Sequence, residues 1–128
     1  MGQFLESTPP RLLPLLERIK DTYRHWYGFY HALPKLHRYS LGIKVDTIFV
    51  DTIEAIAWAS FLPREEKVPI VRLATRKVDT LKVLLTVLWE NGSLSEKRFI
   101  VVSTELEEIG RMLGGWLGQL KKQNSPGM

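Results

Sequence analysis

The chain has 128 residues, 45% of them hydrophobic and 25% charged, a composition that fits one globular domain able to bury a core. Eighteen basic against fourteen acidic residues give a net charge of +4, a mild excess that permits a nucleic-acid or acidic-protein partner without demanding one. The absence of cysteine excludes disulfides and thiolate metal sites, and the lack of an apolar run of about 18 residues excludes a membrane-spanning helix. The start, Met1-Gly2-Gln3-Phe4-Leu5-Glu6, has neither the basic nor the apolar region of a signal peptide, so cytoplasmic residence is expected.

Residues 1–8 are weakly patterned and read as frayed, and Pro9-Pro10 can open a helix. Leu12, Leu16, Ile19, Tyr23, Trp26, Tyr30 and Leu33 then recur by four and three, which predicts a first helix over 10–33, stopped by Pro34. Residues 34–40 read as a basic connector, with Ser40 as the N-cap of the second helix.

That helix is predicted over 41–62, on a seam of Leu41, Val45, Ile48, Thr52, Ala55, Ala59 and Leu62. Asp51, Glu54 and Trp58 fall on the opposite side. Ile43, Val50, Ala57 and Phe61 form a second apolar line. A helix with two apolar faces calls for two neighbours, and the second can belong to another protomer.

After a turn at 63–68, Pro69 fits the first turn of a third helix over 69–91. Ile70, Leu73, Leu81, Leu84 and Leu88 make its seam, with Val71, Val78, Leu85 and Trp89 beside it. Lys77 falls inside that seam, where a lysine snorkels, pairs or fixes register. Asn91-Gly92 is the C-terminal stop.

Ser93-Leu94-Ser95-Glu96 has the spacing of a capping box for a fourth helix over 95–122. Phe99, Val102, Leu106, Ile109, Leu113, Trp116 and Leu120 line its apolar face. Gly110, Gly114 and Gly118 run down a second line. Each interior glycine costs roughly 1 kcal/mol of helix propensity against alanine, so this line predicts a neighbouring helix packed too closely for a Cβ. Asn124 to Met128 read as a tail. Short connectors between sequential helices predict an all-α, antiparallel up-down-up-down four-helix bundle.

Candidate chemistry is sparse. The histidines are His25, His31 and His37, without the Glu-x-x-His pairs of di-iron bundles, so no metal or other cofactor and no catalytic residue is expected. Arg24-His25 followed by His31 loosely fits the Arg-x4–6-His pattern of HEPN ribonucleases. The alternative places both histidines on the flank of an aromatic-rich helix. In Trp26-Tyr27-Gly28-Phe29-Tyr30, base stacking competes with a core role for Trp26 and Tyr30. On the third helix Arg72, Arg76, Asp79 and Thr86 fall on the outward face and Lys82 flanks them. They form either a surface for phosphate or an acidic partner, or a solvated face. Arg111 either joins that surface or pairs with Glu107 or Glu108.

Two runs carry a resemblance: Leu33-Pro34-Lys35 to Arg38-Tyr39-Ser40-Leu41-Gly42, and Glu108-Ile109-Gly110-Arg111-Met112-Leu113-Gly114-Gly115-Trp116. Together with the four helices they resemble, over about residues 10–122, the four-helix bundle family of ribosomal RNA intervening-sequence proteins and accessory variability determinants of diversity-generating retroelements. The start at Pro10-Arg11-Leu12-Leu13-Pro14 and the basic third helix favour the retroelement subgroup. That resemblance implies a homopentamer with a positively charged surface and no enzymatic activity. It also implies binding to a reverse transcriptase and to nucleic acid, template RNA or DNA, in support of mutagenic cDNA synthesis. Family members carry a basic residue in the middle of the third helix, where Lys82 stands. Arg72, Arg76, Lys77, Lys82 and Arg111 are then the expected partner contacts. Ile43, Val50, Phe61, Gly110, Gly114 and Gly118 are the expected protomer contacts. The alternatives are an intervening-sequence bundle with an RNA-related role and the HEPN-like ribonuclease.

Overall fold

The computed structural model describes residues 12–124 as four long helices with no strand among them. The expected Pro9-Pro10 start, the residues before it and the tail from Ser125 lie outside the described residues, as does the side chain of Leu12. Helix α1 spans Leu12–His31, α2 Ile43–Ala59, α3 Arg64–Glu90 and α4 Glu96–Asn124. No described helix is long and apolar enough to cross a membrane.

Apolar spacing sets which faces meet. On α1 Leu16, Ile19 and Trp26 are buried, as is Leu33 just past its end, and Tyr23 and Tyr30 pack against them. On α2 Val45, Ile48, Thr52, Ala55 and Ala59 are buried along the expected seam, and on α4 Val102, Leu106, Ile109, Leu113 and Leu120 are. Thr52 loses its hydroxyl's need for water by donating to the Ile48 carbonyl one turn back, at 2.7 Å.

Cross-helix contacts run in opposite sequence directions at each interface. Between α1 and α2, the Tyr23 hydroxyl and the Trp26 indole N–H both donate to Asp46 Oδ1, at 2.9 and 3.2 Å, while Tyr30 and Leu33 meet Gly42. Between α2 and α3, Lys67 reaches Ala59 and Lys77 reaches Asp51. Between α3 and α4, Trp89 stacks on Phe99 with ring centroids 4.8 Å apart and Lys82 meets Glu107. Between α4 and α1, Glu108 pairs with Arg18 and Glu105 with His25.

The α1–α2 connection differs from the expectation. Residues 34–40 are not a connector: Pro34, with φ −52° and ψ 140°, opens a helical turn at Lys35–His37. A π-helical turn at Arg38–Gly42 then runs directly into α2. Ser40 is therefore inside a helix, donating to Leu36 O at 2.9 Å, and caps nothing. The extra residue of a π turn breaks the seven-residue repeat, so the pattern before Leu41 did not read as helix. His37, expected in a loop, lies on this turn with Nδ1 against the Ser93 hydroxyl.

Helix α3 begins five residues before the expected start. Pro63 is its N-cap, Glu65 and Glu66 occupy the first turn, where carboxylates oppose the helix dipole favourably, and Pro69 sits inside the helix. Lys67 crosses back to close α2, its ammonium donating at 2.6 Å to Ala59 O, which also accepts from the Leu62 N–H at 3.3 Å. Burial pushes the Lys67 pKa down.

The α3 seam is also rotated. The buried line is Val71, Ala74, Val78, Leu81, Leu85 and Leu88. Ile70 and Leu84 lie at its edge, and Leu73 is 41% exposed. Leu81 and Leu88 belong to both lines, whereas Ala74 is small and was outweighed by Leu73. Past the helix, Gly92 takes φ +77°. Its N–H bonds Trp89 O and the Ser93 N–H bonds Leu88 O, both at 2.9 Å, a Schellman closure that uses glycine's access to positive φ. The cap of α4 is Ser95, whose hydroxyl accepts from the Arg98 N–H at 3.3 Å. The capping box starting at Ser93 is not formed, because Ser93 is held by His37.

Candidate nucleic-acid interface

The five expected cations do not form one face. Arg72 and Arg76 are exposed on α3 and Arg111 is exposed on α4. None of the three forms an ion pair among the described residues. The expected alternative for Arg111 fails because both carboxylates are taken. Glu107 Oε1 lies 3.1 Å from Lys82 Nζ, and Glu108 Oε1 lies 2.9 Å from Arg18.

Lys82 sits on the flank of α3 that meets α4, with Asp79 at 3.9 Å as a second carboxylate. Its charge is thus largely matched inside the chain. Lys77 projects from the other flank, towards α2, with Nζ 3.8 Å from Asp51. It is not in the core seam, since that seam passes through Val78 and Ala74. The cationic set therefore resolves into two free guanidiniums on α3, one on α4, and two lysines engaged on opposite sides of α3.

Between α3 and α4 the glycine line of α4 has a different meaning from the one expected. Among the described residues no helix packs closely against it. An added Cβ at Gly110 would lie 3.5 Å from Lys82 Nζ, and at Gly114 or Gly118 would meet nothing within 4 Å. Each four-residue step turns the line outward by about 40°, so Gly114 and Gly118 are exposed. The result is a strip of bare backbone starting beside Lys82 and bordered by Arg111. Such a strip lets a large ligand approach the helix closely, with guanidinium groups beside it.

Along the second apolar line Ile43 is 45% exposed, Val50 is exposed, and Phe61, just past the end of α2, is 64% exposed, whereas Ala57 packs against the core. These residues lie opposite the buried Thr52 and Ala59.

The aromatic run divides as its core alternative had it. Trp26 is fully buried and stacks on Phe49 and Tyr30. Phe29 is half-buried with the Arg98 guanidinium 5.3 Å from its ring centre. Tyr27 is exposed and meets His31 edge-on at 4.5 Å. Of the residues in the ribonuclease-like spacing, Arg24 pairs with Asp21 on its own helix, His25 Nδ1 turns to Glu105 Oε1 of α4 at 2.8 Å, and His31 meets the Tyr27 ring. Among the described residues no group of three His, Asp or Glu side chains could hold a metal ion.

No family model, curated protein or solved structure matches the chain. The reading of function accordingly rests on the residues and their placement.

Sequence reasoning missed two features. Gly42 is buried in the π turn, where an added Cβ would stand 2.9 Å from His37 O, and the broken repeat concealed it. An apolar pocket of about 390 Å³ lies between Pro14, Leu15, Met112, Gly115 and Trp116. Its signal in the sequence was Gly115 next to Trp116, a missing side chain beside a large one.

Proposed function

We propose that this protein is a non-catalytic, cytoplasmic adaptor of a diversity-generating retroelement. In this reading it binds the reverse transcriptase and template RNA and supports mutagenic cDNA synthesis. The observation that carries the reading is the presence of Arg72, Arg76 and Arg111 as exposed guanidiniums that form no ion pair among the described residues, on a chain of net charge +4. An arginine that has no carboxylate of its own keeps its full field and its donors for phosphate. The resemblance of the Ile109 to Trp116 run to accessory variability determinants supplies the biological context.

Assembly strengthens the same argument. In a homopentamer five protomers of +4 would bring about +20 onto one compact body, and such a field steers polyanions and makes their binding salt-dependent. Phosphate contacts carry little sequence information, so selection of the template would fall to the reverse transcriptase or to RNA structure. The open apolar line at Ile43, Val50 and Phe61 and the strip at Gly110, Gly114 and Gly118 are the protomer contacts in this reading.

Solution mass by light scattering, with and without a structured RNA at low and moderate salt, tests it. A multimer that takes up RNA at low salt and releases it at moderate salt is the expected result. A monomer indifferent to RNA under both conditions would overturn the proposal.

A further inference from the structure

Between α2 and α3 runs an open groove of about 500 Å³. Trp58, Leu73 and two alanines supply its apolar lining, and Asp51, Glu54 and Lys77 its polar lining. The Trp58 indole is 56% exposed, and among the described residues no aromatic ring or guanidinium stacks on it. Glu54 stands one turn before Trp58, so the two share a side of α2. It is exposed and forms no ion pair among the described residues.

On its α3 side the groove meets the arginine face. Arg72 precedes Leu73 and Arg76 precedes Lys77, so each arginine leaves α3 about 100° round the helix from a residue that lines the groove. Both arginines are exposed, and they stand one turn apart on the same side of α3. Three cations against two carboxylates leave the groove and its flank at +1, and Lys77 Nζ, 3.8 Å from Asp51, already matches one carboxylate. A polyanion is thus favoured along the arginines, whereas the unpaired Glu54 beside the indole calls for a neutral group that carries donors. A nucleobase meets both conditions. Its face stacks on an aromatic ring, and its Watson–Crick edge can be hydrogen-bonded once it is unpaired. Guanine presents two donors there, N1–H and the N2 amine, to the two oxygens of one carboxylate, while each other base presents one.

We propose that this groove is a subsite for one unpaired base of single-stranded RNA, with guanine preferred. The base stacks on Trp58, its N1–H and N2 amine donate to Glu54, and the adjoining phosphates lie on Arg72 and Arg76. The inference rests on the polyanion-binding reading and extends it. The arginines hold any phosphate chain, but the indole is reached only by a base outside a double helix, because paired bases already stack on one another. The subsite therefore favours single strands over duplex. One base contact selects a nucleotide and not a template, so template selection still falls to the reverse transcriptase or to RNA structure.

The probe is the RNA (AAG)4 as a single strand, as a duplex with (CUU)4, and with inosine, which lacks the N2 amine, in place of guanosine. Each is titrated at low and moderate salt against the full chain by fluorescence anisotropy, while the tryptophan indole N–H resonances are followed. Wild-type protein should bind the single strand with the Trp58 signal shifting, that signal being assigned by its loss in Trp58→Leu. In Trp58→Leu the ratio of single-strand to duplex affinity should fall by about fivefold or more. Wild-type protein should prefer guanosine over inosine by about threefold or more, and Glu54→Gln should lose most of that preference. The preference is a ratio, so it cancels the general gain in phosphate attraction that loss of a carboxylate brings. Both substitutions are at exposed positions, with helicity and solution mass checked. Binding of neither RNA form by the wild type would overturn the polyanion-binding reading and this proposal with it. Salt-dependent binding of both forms, together with an unchanged ratio in Trp58→Leu, a static Trp58 resonance or equal binding of the inosine strand, would leave the polyanion-binding reading standing and overturn the subsite. A changed solution mass in Trp58→Leu would assign the groove to a second copy of this chain, and tighter binding of GTP than of (AAG)4 would assign it to a free nucleotide; either result overturns the proposal.

Discussion

Replacing Gly42 by alanine sets two effects of opposite sign against each other. In a helix interior alanine is favoured over glycine by roughly 1 kcal/mol. Here the added Cβ would stand 2.9 Å from the His37 carbonyl oxygen and 3.1 Å from both Leu33 Cδ1 and Tyr30 Cε1. The oxygen belongs to the backbone of the π turn and cannot rotate aside. Leu33 is buried, and Tyr30 is stacked on Trp26. Overpacking costs about 1–3 kcal/mol, and a contact at 2.9 Å to a backbone atom belongs in the upper half of that range, about 2–3 kcal/mol, so the net loss is about 1–2 kcal/mol. For a domain of this size that lowers Tm by about 4–8 °C. Gly114→Ala and Gly118→Ala serve as internal references. Nothing lies within 4 Å of their added methyl groups, and each should gain about 0.5–1 kcal/mol of protomer stability. Thermal unfolding followed by far-UV circular dichroism, with all variants at one protein concentration, reads the difference. A Gly42→Ala protein as stable as the wild type or more so would refute the packing of the π turn against the end of α1.

Three further outcomes are expected from side chains with defined partners. Burial, followed by donation to Asp46, pushes the Tyr23 hydroxyl up to about 12 from an ordinary value near 10. A phenol whose pKa is higher in the folded state stabilises fully below pH ~10 and loses that contribution as pH rises towards ~12. Wild-type stability should therefore fall across that window, and the fall should be shallower in Tyr23→Phe, as chemical denaturation at stepped pH would measure. Lys67→Met removes the ammonium that closes α2 at Ala59 O and should cost about 1 kcal/mol, read as a lower urea midpoint with unchanged m-value. Glu107→Gln uncovers Lys82 and should strengthen binding of a structured RNA by roughly twofold to fivefold at low salt, measured by fluorescence anisotropy; weaker binding would mean that Lys82 needs Glu107 to hold it in place.

The bundle was legible because four amphipathic repeats are long and each turn has local chemistry of its own. Where the reading went astray, the cause was a break in period or a small side chain. Around Arg38–Gly42 the π turn adds a residue, which disguised helix as connector. On α3 the larger Leu73 outweighed Ala74, its neighbour about 100° round the helix, and turned the first half of the expected seam. The misfit of Lys77 was the clue: a lysine four residues after a supposed core leucine marks an edge of the helix. The cations of α3 were visible individually, yet their pairing was not. Whether a lysine meets a carboxylate depends on the register of α3 against α4 and α2, and no single-helix pattern contains that register. The glycines of α4 illustrate the same limit, since a small-residue line fits both a close neighbour and an open strip.

The most direct test is the salt dependence of structured-RNA binding by the wild type and by the triple variant Arg72→Ala, Arg76→Ala, Arg111→Ala. If the free guanidiniums hold phosphate, each lost contact should reduce the slope of log K against log salt by about 0.7 for single-stranded segments. The triple variant should then bind more weakly with a visibly flatter slope while keeping its helicity. Equal affinity and equal slope in the two proteins would contradict a polyanion-binding face on α3 and α4.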